Sequence, residues 1–377
     1  MAGIYIHIPF CRKACHYCNF HFSTSHQSLP AVINAIIQEI EMRKDYLSEP
    51  VETIYFGGGT PSICHASDIE RILQTIRNLF IVKENAEITL EANPDDISAE
   101  KAIQWKNSGI NRLSIGIQSF HEEDLQWMNR AHSAAQAIES IKTVQQCGFH
   151  NITIDLIYGT PVLSDEQWER NVTTAIQLNI PHISCYALTV EPKTALDMMI
   201  RQKKKEDVNT DQQAIHFEKL MQWLNAAGYE HYEISNFAKP GYRSKHNSNY
   251  WKGVHYLGIG PSAHSFNGAT RHWNVANNAL YIQNMNDGIL PSETEILTTL
   301  QQLNEYIMTS LRTIEGLSLL HVSDQFGKDK RAAILSAAGK WLSASHMILI
   351  NETLQLTDSG KFLADGIAAD IFFLEEN

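Results

Sequence analysis

The chain has 377 residues, of which 44% are hydrophobic and 19% are charged. A chain of this length and apolar content buries enough surface to fold and is long enough for two domains, which excludes intrinsic disorder. Its net charge of −12 and the lack of a long run of Lys and Arg argue against nucleic acid as a partner. Neither a transmembrane run nor a signal peptide is recognisable, so we expect a cytoplasmic protein.

From residue 3 to about 190, short β-rich runs alternate with amphipathic helical patterns, which predicts parallel β-α units. We expect six strands, at residues 3–8, 53–56, 87–91, 112–117, 151–157 and 182–188. Amphipathic helices are expected between them. Ser67, Ser98 and Ser133 are predicted to be helix N-caps or first-turn residues.

Unusual residues follow the predicted strands, at the point where each one ends. Cys11 comes after the first strand, Gly57 to Pro61 after the second, Glu91 to Pro94 after the third, Gln118 after the fourth and Gly159 to Pro161 after the fifth. In α/β barrels the carboxyl ends of the strands form the rim where ligands bind. The sequence therefore predicts an α/β fold built as an open, partial (β/α)6 TIM-like barrel, with a flat doubly wound sheet as the alternative.

Three segments are predicted: a barrel over residues 1–230, a capping segment over 231–290 and a C-terminal domain over 291–377. The last one orders its helical patterns before two strand-like pieces, which predicts a small winged-helix-like α+β domain. Acidic residues outnumber basic ones from Pro291 onward. Such a surface repels phosphate, so we interpret this domain as a structural or docking module.

Three of the six cysteines, Cys11, Cys15 and Cys18, form a C-x3-C-x2-C motif directly after the first strand. Thiolates are soft ligands that suit iron–sulfur clusters and zinc. A four-iron cluster on three cysteines leaves one iron open. A zinc ion would take its fourth ligand from one of three histidines: His7, His16 or His21. The other cysteines are isolated and are predicted to be buried apolar residues: Cys64, Cys147 and Cys185.

A glycine run, Gly57-Gly58-Gly59-Thr60-Pro61, ends the second predicted strand. Glycines let backbone N–H groups approach a polar ligand without a β-carbon in the way. The alternative is a tight strand-to-helix turn. The run has no Lys of the kind found in a phosphate-binding P-loop. It also follows the second strand, whereas a dinucleotide-binding G-x-G-x-x-G motif would lie in the first β-α unit.

The cysteine motif and the glycine run together resemble the radical S-adenosylmethionine (SAM) superfamily. The finer match, through residues 5–11, 57–61, 116–120, 129–132 and 155–159, is to the oxygen-independent coproporphyrinogen oxidase-like family. This resemblance implies a [4Fe-4S] cluster on the three cysteines, with its open iron chelating SAM. It also implies that an electron from the cluster breaks a carbon–sulfur bond to give a 5′-deoxyadenosyl radical.

The resemblance further implies which residues hold SAM. Five match residues that face the cluster-bound SAM: Tyr5, Tyr17, Gly58, Gly59 and Glu91. Three match residues that hold a second SAM in the oxidase: Gln118, Arg130 and Asp155. Thr60 and Ala187 are further candidates. An ion-pair network that closes the rim is the structural alternative for Arg130 and Asp155.

The family contains oxidases and heme chaperones, and three features favour the chaperones. Oxidases carry a fourth cysteine two residues after the third, where this chain has Phe20. They also carry an N-terminal extension, whereas ten residues precede Cys11 here. Residues 246–251 reproduce the H-N-x-x-Y-W signature that is associated with heme binding in the chaperones, within the capping segment.

His246 is accordingly predicted to be an axial ligand of heme iron, with the flat faces of Tyr250 and Trp251 against the porphyrin. Rival or second ligands lie nearby: His255, His264 and His272. A structural histidine beside aromatic residues is the alternative for His246.

We therefore predict a heme chaperone that carries a [4Fe-4S] cluster and SAM and passes heme to acceptor hemoproteins, including those of the respiratory chain. The alternatives are an oxygen-independent coproporphyrinogen III dehydrogenase, which catalyses a radical SAM oxidative decarboxylation, and a zinc-dependent binding protein. Whether SAM is cleaved productively stays open. The basic run 203–205 has two interpretations, peripheral contact with anionic lipid or a solvated helix face.

Overall fold

The computed structural model describes residues 1–374, so the last three positions of the predicted C-terminal domain lie outside the described residues. Six parallel strands form the centre of the molecule: β1 (Ala2–Ile8), β2 (Val51–Gly58), β3 (Val82–Ala92), β4 (Arg112–Gln118), β5 (Ile152–Tyr158) and β6 (His182–Ala187). They correspond to the six predicted strands. β3 begins well before the predicted start, because its first residues are exposed and polar and give no apolar pattern.

Helices connect these strands, as expected for parallel neighbours. They are α1 (Leu29–Met42), α2 (Ala66–Leu79), α3 (Ala99–Asn107), α4 (Glu122–Trp127), α5 (Ala134–Gln146) and α6 (Asp165–Gln177). Ser98 caps α3, and Ser133 caps α5 in a capping box with Gln136. Ser67 lies in the first turn of α2, whose N-cap is His65.

The sheet continues beyond the six parallel strands on both sides and does not close on itself. Its strand order is β12-β11-β10-β9-β1-β2-β3-β4-β5-β6-β8-β7. The added strands are β7 (Glu230–Glu233), β8 (Asn236–Ala238), β9 (His255–Ile259), β10 (His264–Phe266), β11 (Thr270–Asn274) and β12 (Ser292–Ile296). The added helices are α7 (Ala195–Arg201), α8 (Thr210–Ala226), α9 (Lys245–Trp251) and α10 (Asn278–Asn286). The predicted open barrel is thus confirmed, and the chain after α8 extends its sheet from both ends.

The C-terminal part has its own three-stranded sheet, in the order β13-β15-β14. Its elements are α11 (Thr299–Leu311), β13 (Leu317–Ser318), α12 (Leu319–Phe326), α13 (Lys328–Ser343), β14 (Met347–Ile350), β15 (Thr353–Leu356), α14 (Asp358–Lys361) and α15 (Ala364–Ile371). Buried residues from Leu303 to Ile371 form a core apart from that of the central sheet.

Within residues 1–374, none of the helices combines the length and the apolar character needed to cross a bilayer. In the basic run that follows α7, Lys205 has partners within the protein. It donates to the backbone oxygen of Trp127 and lies over the Trp127 ring, 4.1 Å from the centroid. Lys203 and Lys204 remain exposed.

Candidate functional site

The loop after β1 carries the three clustered thiols, all of them free and half-buried. Backbone hydrogen bonds close the loop on itself: Cys11 donates to the carbonyl of Ser23, and Ser23 donates to that of Pro9, at 3.0 and 2.9 Å. Cys18 donates to the carbonyl of Cys15 at 3.3 Å. The fold therefore holds the three thiols on one short, anchored segment at the rim of the sheet.

Two side chains from the segments that follow β2 and α4 donate to these sulfurs. Thr60 Oγ1 lies 3.5 Å from Cys11 Sγ, and Arg130 Nη1 lies 3.2 Å from Cys15 Sγ. Burial raises the pKa of Cys11 to about 11, against the opposing effect of the Thr60 hydrogen bond, and burial also raises the pKa of Cys18. In such surroundings, a bound metal centre and hydrogen-bond donors such as these stabilise the thiolate form. The donor set therefore fits an iron–sulfur cluster on the three cysteines.

The histidines considered as zinc ligands have other partners. His16 Nδ1 lies 3.1 Å from the carbonyl of Trp127, and His21 Nε2 lies 2.8 Å from Asn278 Oδ1. His7 bonds through both ring nitrogens, to Tyr5 Oη and to the carbonyl of His21. In the described chain, no three His, Cys, Asp or Glu side chains converge as ligands of one ion.

The remaining cysteines have separate surroundings. Cys64 and Cys185 are buried in the core of the central sheet, as predicted. Cys147 is only half-buried and packs against the edge of that core.

The glycine run packs backbone to backbone against the segment that leads into Cys11. Gly59 N–H donates to the carbonyl of Ile8 at 2.9 Å, and Thr60 N–H donates to that of Phe10 at 2.7 Å. A β-carbon on Gly59 would lie 2.5 Å from Phe10 O. Gly58 has φ +107°, and a β-carbon there would lie 2.7 Å from the His7 ring. The glycines are therefore needed for close approach to the cysteine loop.

Asn93, which lies in the predicted rim stretch 91–94 but was given no role of its own, connects the two groups that donate to sulfur. Its Nδ2 donates to Thr60 Oγ1 at 3.1 Å, and its Oδ1 accepts from Arg130 Nη2 at 2.8 Å. Hydrogen bonds thus run without interruption from Cys11 through Thr60, Asn93 and Arg130 to Cys15. The available signal was the place of Asn93 beside Glu91, at the end of β3.

Arg130 bonds only neutral acceptors and a thiol. Besides Asn93 and Cys15, it donates to the carbonyl of Gly116 at 2.8 Å, and its buried Nε has no partner. No ion pair joins Arg130 to any carboxylate of residues 1–374, so the predicted structural alternative, a network with Asp155, does not form there. Among residues 1–374, no carboxylate therefore neutralises the guanidinium charge of Arg130.

Glu91 and Asp155 are two half-buried carboxyl groups inside the sheet. Tyr55 Oη donates to Glu91 Oε1 at 2.7 Å. Burial raises the pKa of Glu91 to about 7, helped by the charge of Asp155 and opposed by Tyr55, and burial raises the pKa of Asp155 to about 6. A carboxylate in this position favours a bound ammonium group or hydroxyl donors, which restore its charged form.

The other SAM candidates lie in the cysteine loop and along the strands. Tyr17 is part of that loop and packs against a small buried cluster that includes Leu125, where burial raises its pKa. Tyr5, within β1, stacks on Tyr55 with ring centroids 6.1 Å apart. Gln118, with φ +64°, ends β4, and Ala187 ends β6. The left-handed backbone of Gln118 is uncommon for a residue with a side chain, and it ends the regular run of β4.

The raised pKa of Glu91 makes the stability of the cofactor-free protein depend on pH. The folded state keeps the Glu91 proton up to about pH 7, whereas the unfolded state loses it near pH 4.5. The contribution of Glu91 to stability is therefore present at low pH and is lost as the pH rises through about 7. We expect the free energy of unfolding of the wild type to fall over this range relative to Glu91→Gln, as measured by urea titration.

Glu84→Gln is the matched control for that measurement, because Glu84 is exposed near the start of the same strand. Its difference from the wild type should not vary with pH. A difference between wild type and Glu91→Gln that stays constant across the range would contradict the assigned burial of Glu91.

His246 lies on α9, with 2% of its surface exposed. Its Nδ1 is 2.8 Å from Thr53 Oγ1 and its Nε2 is 2.9 Å from Tyr250 Oη. Burial lowers the pKa of His246 to about 3, with a further contribution from the charge of Arg112. Both nitrogens of this predicted heme ligand are thus occupied by hydrogen bonds within the protein.

An open cavity of about 430 Å³ lies between the cysteine loop and the strands added beside β1. Its lining consists of Tyr5, His7, Asn19, Phe20, His21, Tyr250, Tyr256, Ser262 and His264. The volume falls within the roughly 300–1,000 Å³ range of small-molecule pockets. Aromatic rings and imidazoles make up most of the wall. Such a wall suits a flat, largely apolar ligand that contains a metal ion.

Comparison with known proteins agrees with this arrangement. The Radical SAM superfamily model matches residues 5–175. The chain is 34% identical over 372 residues to the heme chaperone HemW of Bacillus subtilis, covering 97% of this chain and 98% of that protein. It is also 34% identical over 371 residues to the heme chaperone HemW of Mycobacterium tuberculosis, covering 97% and 93%.

Among solved structures, coproporphyrinogen III oxidase (HemN) from Escherichia coli, a radical SAM enzyme, superposes with a TM-score of 0.84 at 23% identity. The match covers 98% of this chain and 90% of that chain, and it shows a shared fold. Superfamily membership implies a [4Fe-4S] cluster and SAM as cofactors, which agrees with the donor set on the loop. With near full-length likeness to several HemW proteins, the chain belongs to the HemW family within the radical SAM superfamily.

Proposed function

We propose that this protein binds heme as cargo and transfers it to acceptor hemoproteins, while it holds a [4Fe-4S] cluster and SAM. The observation that carries the proposal is Phe20. This residue stands where the oxidases have their fourth cysteine. It is 68% exposed and lines the cavity beside the cysteine loop. An exposed apolar ring in that place offers contact area to a porphyrin and no ligand to the cluster. The relatives named as heme chaperones support the same conclusion.

The cluster would be held by Cys11, Cys15 and Cys18. When bound and reduced, it supplies an electron to SAM. Thr60 and Arg130 stabilise the negative charge on the sulfurs by hydrogen bonds, and Asn93 keeps both donors in position. These contacts orient the loop whether or not SAM is cleaved.

SAM would lie against the carboxyl ends of the strands. Gly58 and Gly59 let the end of β2 pack closely against His7 and Phe10 there, and Glu91 accepts hydrogen bonds from an ammonium or hydroxyl group. Arg130 presents a guanidinium without a carboxylate partner to a carboxylate group. Asp155 and Gln118 add an acceptor and an amide on the neighbouring strands.

Acceptors in the respiratory chain form the finer part of the proposal. Such acceptors are membrane proteins, so docking would place this protein near a bilayer. Lys203 and Lys204, exposed at the end of α7, are the basic groups available for contact with anionic lipid.

The test uses anaerobically reconstituted protein and hemin. We expect titration to give a saturable Soret band, and heme to pass to the apo form of a b-type cytochrome faster than from serum albumin, which is the control donor. A variant with all three cluster cysteines changed to Ser should lack the iron–sulfur absorbance.

Two results would contradict the proposal. One is the absence of saturable hemin binding. The other is anaerobic turnover of coproporphyrinogen III with formation of 5′-deoxyadenosine and methionine, which would identify the protein as an oxidase.

A further inference from the structure

Three histidines line the cavity beside the cluster loop, and they differ in what their rings already bind. His7 bonds through both nitrogens, at 3.2 Å to Tyr5 Oη and at 3.1 Å to the carbonyl of His21. His21 is tethered through Nε2 to Asn278 Oδ1 at 2.8 Å. Coordination by His7, or by His21 through Nε2, would therefore break an existing hydrogen bond.

His264 is different, because its ring makes no hydrogen bond to any of residues 1–374. It begins β10, it is exposed at the cavity wall, and the Trp273 ring on β11 lies behind it with the centroids 6.4 Å apart. Burial lowers the pKa of His264, and the charge of Arg271 lowers it further. Both effects favour the neutral imidazole, whose nitrogen lone pair is available to a metal.

His246 reaches the cavity through two lining residues: it bonds Tyr250, and its ring stacks on Tyr5 with centroids 6.4 Å apart. His246 and Tyr250 lie one turn apart on α9 and bond each other. The imidazole also bonds Thr53 on β2, and Tyr250 lines the cavity. Tyr250 also meets Tyr256 edge to face, with centroids 4.7 Å apart at 89°. The hydrogen bond from His246 thus fixes an aromatic corner of the wall.

We propose that His264 is the protein's axial ligand to the iron of the cargo heme, and that His246 is a positioning residue that holds Tyr250 against the porphyrin. This inference rests on the proposed function, since it assumes that heme is the cargo. It assigns the metal bond to the one cavity imidazole whose ring makes no hydrogen bond to residues 1–374, whereas His7 and His21 are each tethered by their rings. Neutral imidazole is a common axial ligand of heme iron.

The test compares hemin binding by the full-length, cluster-reconstituted wild type and by His264→Ala, followed by Soret and electron paramagnetic resonance spectra. Loss of the ligand should shift the Soret band and weaken hemin affinity at least about tenfold, since even outer-sphere changes at metal sites cost 10–100-fold. Added imidazole should restore the wild-type spectrum in His264→Ala. His264→Met should bind hemin with the altered spectrum of a thioether ligand.

Three further variants separate ligation from positioning. His272→Ala is the matched control, since His272 lies on the neighbouring strand, bonds Thr270 and Thr294 and does not line the cavity. It should bind hemin like the wild type. His246→Ala and Tyr250→Phe should both keep the wild-type Soret position and lose affinity by similar factors. Circular dichroism melting curves verify that each variant is folded.

The outcomes are distinguishable from those that test the function. If the wild type binds no hemin, the proposed function itself fails, and this assignment with it. If the wild type binds hemin and folded His264→Ala gives the same spectrum, only the ligand assignment is overturned. It is also overturned if His246→Ala alone loses the ligand signature, or if His264→Ala weakens SAM binding and leaves the heme spectrum unchanged.

Discussion

Replacing Glu39 with Ala is expected to lower the free energy of unfolding by about 3–5 kcal/mol, the range found when one member of a buried ion pair is removed. Glu39, in the last turn of α1, and Arg43, at the C-cap of that helix, are both buried and lie 3.2 Å apart. The carboxylate also accepts from Gly260 N–H, Asn274 Nδ2 and Tyr281 Oη, at 2.8, 2.8 and 2.6 Å. Without it, a buried guanidinium and three donors lose their acceptor.

Urea titration followed by tryptophan fluorescence measures this effect. Glu41→Ala is the matched control on the same helix, because Glu41 is exposed, and its change should stay within about 0.5 kcal/mol. Equal urea midpoints for Glu39→Ala and the wild type would show that the network is not closed as described. Since Arg43 also bonds Gly258 and Ser265, the loss should loosen the strands that carry His264 and lower hemin affinity.

Replacing Gly59 with Ala is expected to prevent cluster assembly and to cost roughly 1–3 kcal/mol in stability, the usual effect of forcing extra atoms into a packed site. The new β-carbon would lie 2.5 Å from the carbonyl oxygen and 2.7 Å from the nitrogen of Phe10. Both are backbone atoms, so the segment before Cys11 has to move. The displaced thiol would no longer share a site with Cys15 and Cys18.

Iron and sulfide analysis after anaerobic reconstitution checks this prediction, together with absorbance of the cluster. Gly339→Ala is the control, because Gly339 lies inside α13 and a β-carbon there meets nothing within 4 Å. It should assemble a normal cluster and gain about 0.5–1 kcal/mol from helix propensity. A full cluster in Gly59→Ala would contradict the close approach seen at Phe10.

The features that could be predicted from the sequence are local ones. Six strands follow from short apolar runs between helical patterns, and the three thiols lie in one loop because their spacing spans only eight residues. The family motifs likewise consist of neighbours in the chain. Patterns of this kind depend on backbone periodicity, which a single segment determines by itself.

The partners of each site residue were decided by the tertiary structure. His246 meets Thr53 across 193 positions, and Arg130 meets Cys15 across 115. Asn93 became visible as a link only once the ends of three strands were placed side by side. A hydrogen bond depends on distances of about 3 Å between atoms that packing brings together, and spacing along the chain does not encode them.

The choice among the histidines has the same origin. The sequence predicted His246 as the axial ligand through its motif and left His264 among three rival or second ligands. The fold buries His246 with both nitrogens bonded and leaves the His264 ring without a partner at the cavity wall. By itself, the sequence determined the chemical groups available for the cluster and the cargo. The packing of α9 against β2, and of β9 and β10 beside β1, decided which group has a free lone pair, because only burial and hydrogen bonding determine that.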